Sequence, residues 1–363
     1  MIGRVTPMPE LAPERQMRAR QRDRGGFLDA MTRRTVIVGL GAVLVGRAAR
    51  AHAQTRRSAR IGVLSPTPPP PDPAGVSGKE ALERGLRQLE WNPGVDIAIE
   101  YRYATGSVER MREQAAELIR LPVDVIVARG TQATQLARDA SSTVPIVMSF
   151  VADPVGAGFA QSLARPGGNV TGVAFLVQAI QGKQLELLKE VVPRVSRIAV
   201  LGNPSSLPGV QYENYLKAAE DGALALKLQH KVFEVRKEED IGPTFAAISA
   251  ARFDGLLLLT DPFLLEPRRD QVVTLAAKHR LPAIYPWSQY VLSGGFMAYG
   301  ASQYELHRRA ASYVDRILKG ARPGDLPIEQ PVTFELVVNL KTAKELRLTI
   351  PQSVLIRAER VVE

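Results

Sequence analysis

Side chains able to hold a small polar solute collect where short apolar runs end. After the run Val123–Ala128 comes Arg129-Gly130-Thr131-Gln132-Ala133-Thr134, which opens a helical stretch. Gly130 permits a tight turn and Thr131 suits an N-cap. The amino end of such a helix offers unpaired N–H groups and a positive dipole end, which can hold one carboxylate or phosphate. Asp-Pro follows a comparable run twice, at Asp153-Pro154 and Asp261-Pro262. The usual reason for Asp-Pro is a capped turn. Two carboxylates beside an anion site would also suit a solute carrying both an amine and a carboxylate. On that reading the carboxylate sits at the Thr131 helix start and the ammonium beside Asp261 or Asp153. Neither Thr131 nor Asp261 is expected in a core, so replacing either should change stability little. Tyr285, Trp287, Phe263 and Tyr299 could line an apolar wall, although core packing is the commoner use of each.

Catalytic sets are poor. After residue 53 the histidines are His230, His279 and His307, each alone, and no metal-ligand spacing is present. No G-x-S-x-G elbow and no phosphate-cradling G-x-x-x-x-G-K-[ST] occurs. The chain has no cysteine, which excludes disulfides, thiolate metal sites and a thiol nucleophile. We therefore expect a binder rather than an enzyme, with no catalytic residue, no metal and no cofactor.

The 363 residues are 45% hydrophobic and 23% charged, a composition that builds a globular core and argues against disorder. That length predicts two domains, and no apolar run is long enough to span a bilayer. The net charge of +10 is unevenly placed: residues 1–53 carry ten Arg against four acidic residues. The remainder mixes its signs, so no nucleic-acid footprint is expected.

The excess at the amino end reads as an export signal. Arg33 and Arg34 precede the short apolar stretch Val36–Gly46, and Ala51-His52-Ala53 is an A-x-A cleavage signal before Gln54. Paired arginines with a weak apolar region resemble a twin-arginine signal. Met31 or Met17 is read as the true start, with residues 1–30 a spurious extension.

From Arg60 the chain alternates β-branched runs with amphipathic stretches, the mark of βαβ units and parallel sheets. Strands are predicted at Arg60–Ser65, Asp96–Tyr103, Val123–Ala128, Pro145–Phe150 and Val170–Phe175. A second set is predicted at Arg197–Gly202, Gln229–Val235, Asp254–Thr260, Pro282–Tyr285 and Gly295–Tyr299. The halves echo each other: Asp124 and Asp254 open buried strands, and Pro145 and Pro282 start the following ones. A late helix, Tyr304–Lys319, a strand, Thr333–Val338, and a short helix, Lys341–Leu346, are too little for a third domain and should return to the first two. In open parallel sheets ligands sit beyond the carboxyl ends of the strands. The exits are Ser65-Pro66 with the proline-dense run to Pro73, Arg129-Gly130, Ala152-Asp153, Asn203-Pro204, Asp261-Pro262 and Pro286-Trp287.

Taken in order, several segments resemble the ABC-transporter substrate-binding proteins of the tryptophan/tyrosine-binding type. The segments are Gly130-Thr131-Gln132-Ala133-Thr134, Asp153-Pro154-Val155 and Ala164-Arg165-Pro166-Gly167-Gly168-Asn169-Val170-Thr171-Gly172. They continue with Asp261-Pro262, Leu281-Pro282-Ala283-Ile284-Tyr285, Gly294-Gly295-Phe296-Met297-Ala298-Tyr299-Gly300 and Asp325-Leu326-Pro327-Ile328-Glu329-Gln330-Pro331. The resemblance implies a type I periplasmic-binding-protein fold: α/β, with two doubly wound parallel-sheet lobes joined by a three-crossover hinge. Lobe 1 is expected over 58–175 plus about 301–328, and lobe 2 over 178–300 plus about 329–363. The ligand contacts it implies are Thr131, Gln132, Asp153, Asn203 and Asp261, with Ser65 and Tyr285 beside them. The proline-dense Pro66–Pro73 loop departs from the family pattern. The implied activity is a monomeric periplasmic receptor that captures a small, amino-acid-like solute for an ABC permease. A ligand-sensing module for a signalling partner would use the same fold. A two-lobed transferase would need a diphosphate-binding cluster and a general base, and neither stands out.

Overall fold

A computed structural model describes residues 58–66, 78–104, 107–175, 178–205, 209–261, 264, 268–330 and 333–363. The export signal and residues 67–77 of the proline-dense loop, together with Phe263, lie outside the described residues. The first sheet is built from β1 (Ala59–Ser65), β2 (Ile97–Tyr103), β3 (Val125–Arg129), β4 (Ile146–Val151) and β5 (Val170–Ala174). Its order is β2-β1-β3-β4-β5 with every pairing parallel. The second sheet holds β6 (Arg197–Gly202), β7 (Gln229–Glu234), β8 (Gly255–Leu258), β9 (Ala283–Tyr285), β10 (Met297–Ala301), β11 (Phe334–Asn339) and β12 (Arg360–Val362). Its order is β12-β11-β10-β9-β8-β6-β7. The stretch β7-β6-β8-β9-β10 therefore repeats the order of the first sheet, and β11 and β12 extend it. This is the doubly wound 2-1-3-4-5 arrangement, whose topological switch point lies between the first and third strands. The switch points are β1/β3 in one sheet and β6/β8 in the other.

The two halves are pinned alike at their amino ends. Asp124, before β3, accepts from the Arg60 N–H at 2.8 Å. Asp254, before β8, accepts from the N–H groups of Ser196 and Arg197 at 3.1 and 2.7 Å. Each carboxylate satisfies donors at the start of a buried strand, where an orphan would be costly. Apolar runs such as Val125–Ala128 and Leu256–Leu258 are fully buried, as strands covered on both faces must be.

The helices over 78–191 are α1 (Gly78–Gln88), α2 (Val108–Arg120), α3 (Gly130–Ala140) and α4 (Gln178–Val191). Next come α5 (Gly209–Ala225), α6 (Ile241–Ala250), α7 (Arg269–Lys278) and α8 (Ser288–Leu292). The last three are α9 (Gln303–Leu318), α10 (Leu340–Glu345) and α11 (Gln352–Arg357). The late helix α9 starts after β10 of the second sheet but packs on α1. A Cβ on Gly85 would come within 2.8 Å of the Ala311 Cβ, so the helices meet where only glycine fits. The chain then pairs Glu329 with Val173 of β5 and returns to the second sheet as β11. Because it re-enters from that crossover, β11 runs antiparallel to β10. Among the described residues this is the one departure from all-parallel pairing. The α11 helix and strand β12 were not legible in the sequence pattern.

Candidate functional site

The first switch point brings Ser65 and Arg129-Gly130-Thr131-Gln132 together, since Leu64 of β1 pairs with Ala128 of β3. Ser65 is buried, and its carbonyl accepts from Ala104 at 3.0 Å. Gly130 has φ +84°, the left-handed region that glycine enters without strain. The N-cap of α3 is Arg129, in extended conformation and without a side-chain cap bond. Thr131 is therefore the second helical residue and buried, not the cap expected of it. Gln132 is half-buried. The N-cap side chain thus makes no capping bond to the first turn of α3.

At the second switch point Asn203 and Asp261 are joined directly. The Asn203 N–H donates to Asp261 Oδ2 at 2.8 Å, and the Leu264 N–H donates to Oδ1 at 3.1 Å. Asn203 Oδ1 in turn accepts from the Ser205 N–H at 2.7 Å. Asp261 is only 3% exposed. Its charge contributes, after burial and Glu234, to pushing the Tyr212 phenol up to about 12. Asp261 thus ties two strand exits together and is buried, where the sequence placed it outside a core. Asp261→Ala should orphan two backbone donors and destabilise by about 2–4 kcal/mol, read from urea unfolding. A loss below about 0.5 kcal/mol would contradict this role.

Asp153 is exposed; its Oδ1 accepts from the Gly156 N–H at 2.8 Å and its carbonyl accepts from Ala157 at 3.0 Å. It caps the turn after β4. Tyr285 is 1% exposed and stacks on Tyr290 at 4.8 Å with ring planes 5° apart, inside the second sheet's core. Burial raises its phenol pKa. Tyr299 stacks on Phe334.

Sequence reasoning missed a seam that joins the two sheets. Phe150, at the end of β4, meets Trp287, after β9, edge-to-face at 5.3 Å. Phe175 packs on the same indole at 5.2 Å. His307 of α9 lies 4.9 Å from the Phe150 ring, and the Arg129 guanidinium covers that ring at 5.4 Å. Phe150 has φ +62° where the β4/β5 register shifts between Ser149 and Val151. Such strain in an aromatic residue persists only where the surroundings enforce it, and it concentrates at functional sites. The available signal was position: Arg129, Phe150 and Trp287 each stand at a strand exit.

A polar seam runs beside it. Gln303, the first residue of α9, accepts at Oε1 from Arg129 Nη2 at 3.5 Å and from Gln289 Nε2 at 3.4 Å. His307 Nδ1 donates to the Gln303 carbonyl at 2.9 Å. A Cβ on Gly78 would fall 2.6 Å from His307 Nε2, so the ring fills the amino end of α1. Burial first, and then the Arg129 charge, push the His307 imidazole down to about 3, with the Gln303 carbonyl opposing.

Below about pH 6.5 the unfolded chain takes up a proton that folded His307 refuses. Stability is therefore lost as pH falls from about 6.5 towards 3. Between pH 7 and pH 5 this group should remove about 2 kcal/mol. Urea unfolding at both pH values should show His307→Gln losing that much less than the unaltered chain; equal losses would contradict the assignment.

Among the described residues no cluster of His, Asp or Glu could hold a metal ion, and no helix is long and apolar enough to cross a membrane. The family model described as ABC transporter substrate binding protein matches residues 72–362. The tyrosine-binding protein of Clostridioides difficile (strain R20291) is 26% identical over 276 residues, 76% of this chain and 77% of that relative. The ABC domain from Streptococcus pneumoniae, solved in complex with L-Trp, is 27% identical with a TM-score of 0.73, covering 84% of this chain and 100% of that one. A conserved domain protein from Vibrio cholerae O1 biovar eltor is 27% identical with a TM-score of 0.76, covering 84% and 99%. With its two doubly wound sheets and a family match over most of its length, this chain belongs to the ABC transporter substrate binding protein family.

Proposed function

We infer that this protein is the periplasmic receptor of an ABC import system and captures an amino-acid-like solute between two lobes. The observation that carries this is the meeting of side chains from both sheets' strand exits: Phe150 with Trp287, and Arg129 with Gln303 and Gln289. Relatives that bind tyrosine and L-Trp support an amino-acid ligand with an aromatic side chain. Lobe 1 comprises 58–175 with about 301–328, and lobe 2 comprises 178–300 with about 329–363. Contacts such as Thr171 Oγ1 to the Leu326 carbonyl at 2.7 Å support that division. Ligand binds the closed arrangement better than the open one, and closure presents the loaded receptor, a monomer, to its permease. Thr131, Gln132, Ser65 and Asn203 lie along the lips of the two switch points, with Asp261 and Asp153 shaping the loops and Tyr285 supporting the second. No bond of the solute is made or broken, so the receptor is not an enzyme.

Delivery uses the signal ending at Ala53-Gln54, by the twin-arginine route. Changing Arg33 and Arg34 together to Lys should leave uncleaved precursor in the cytoplasm, whereas normal export would exclude that route. The test of function is uptake. Deleting the gene in its source cell should lower the uptake of radiolabelled L-tryptophan or L-tyrosine, and restoring it should return it. Unchanged uptake of every amino acid would overturn the import reading.

A further inference from the structure

Gln303 is 7% exposed, and only one end of its carboxamide is satisfied. Its oxygen accepts from Arg129 and from Gln289, and in that orientation Nε2 is a buried donor without a partner. Gln289 mirrors it. Its Nε2 is spent on Gln303, and its Oε1 is a buried acceptor without a partner. An unmade hydrogen bond on a buried amide is expensive, and native structures rarely leave two side by side without a use. The open donor and the open acceptor belong to adjacent carboxamides that already touch.

The three residues come from three separate segments. Arg129 is the exit of β3 in the first sheet. Gln289 is on α8, just past the β9 exit of the second. Gln303 opens α9, where the chain crosses from one sheet to the other. The bonds linking them measure 3.5 and 3.4 Å, long enough to tighten or exchange when another group enters. Beside Arg129 begins α3, whose N-cap side chain makes no capping bond.

We propose that Arg129, Gln303 and Gln289 seat the head group of the captured amino acid. The carboxylate is taken by the Arg129 guanidinium and Gln303 Nε2, and the ammonium by Gln289 Oε1. This rests on the amino-acid reading above and moves the head group away from Asp261 and Asp153, whose carboxylates hold backbone turns. The chemistry selects the class. A plain carboxylate would answer the guanidinium and the open donor but leave the Gln289 oxygen unanswered. A neutral polyol would answer both amides but bring no negative charge to the guanidinium. An α-amino acid answers all three from groups on one carbon. Phe150 and Trp287, packed against the same seam, then border the solute's side chain.

The test is calorimetric binding of three probes to the whole protein: L-tryptophan, indole-3-propionate, which lacks the ammonium, and tryptamine, which lacks the carboxylate. The unaltered chain should prefer L-tryptophan to either analogue by at least about tenfold. Gln289→Leu should weaken L-tryptophan by about tenfold and indole-3-propionate far less, collapsing most of that preference. Gln303→Glu should weaken L-tryptophan by about 100-fold and tryptamine far less, because a carboxylate then faces a carboxylate. Should the buried Gln303 variant fail to fold, Gln289→Leu at its half-buried position decides the matter alone. Equal losses for L-tryptophan and indole-3-propionate in Gln289→Leu, or none, would overturn the head-group assignment while leaving amino-acid capture intact. Absence of binding of L-tryptophan and of every other amino acid to the unaltered chain would overturn the capture reading, and this seat with it.

Discussion

Gly172→Ala is expected to destabilise the protein by on the order of 4 kcal/mol or more, enough to prevent accumulation of folded chain. Gly172 sits in β5 with φ +133°, and a Cβ there would lie 2.2 Å from the Met148 carbonyl oxygen. That oxygen belongs to the backbone of β4, so no side-chain rotation relieves the clash. The neighbouring contacts raise the stakes. The Gly172 carbonyl accepts from the Glu329 N–H at 3.0 Å, which docks the returning segment on the first sheet. Chemical unfolding of the purified variant, or its solubility on expression, measures the effect. A variant within about 1 kcal/mol of the unaltered protein would show that β4 and β5 can part, contrary to the tight pairing described.

Trp287→Ala is expected to cost about 3–5 kcal/mol, the range for truncating a large buried aromatic. The indole is 3% exposed and fills the space between Phe150 and Phe175 of the first sheet and the β9 exit of the second. Trp287→Phe should recover a large part of that loss, because a ring still meets both phenylalanines. The chain has two tryptophans, the other being Trp91, whose indole N–H donates to Asp315 at 2.9 Å. Trp91→Phe therefore leaves Trp287 as the single reporter of the seam. Adding L-tyrosine should change its emission when excited where tyrosine does not absorb. Urea unfolding and this titration together locate the residue: a Trp287→Ala loss below about 1 kcal/mol would mean the seam carries little packing energy.

Much of the fold was legible because parallel sheets bury both faces of their strands. The runs Val125–Arg129 and Gly255–Leu258 have few sequence alternatives, and turn residues bound them. Predicted and observed strands differ by a few residues at their ends, where pairing rather than composition sets the limit. The antiparallel β11 was seen as a strand but not in direction, since direction depends on the crossover through Glu329. Short α11 and β12 carry too few apolar positions to show a period. At the site, exits could be read from strand order, which is why Ser65, Arg129-Gly130-Thr131, Asn203 and Asp261 fall at the two switch points. The tasks of individual side chains could not. Asp261, read as a candidate ammonium partner, also holds the Asn203 and Leu264 amides, a task that no motif announces. Phe150 looked like one more strand residue, because a positive φ at a phenylalanine has no sequence signature. Gln289 and Gln303 carry no motif and become notable only when unpaired amide atoms meet beside Arg129.

Small-angle scattering during addition of amino acids tests the central claim most directly, because capture between two lobes must bring them together. The radius of gyration of the protein should fall when L-tryptophan or L-tyrosine is added to saturation and should return when the amino acid is dialysed away. A radius that stays constant with each of the common amino acids at saturating concentration would contradict closure on an amino-acid-like solute.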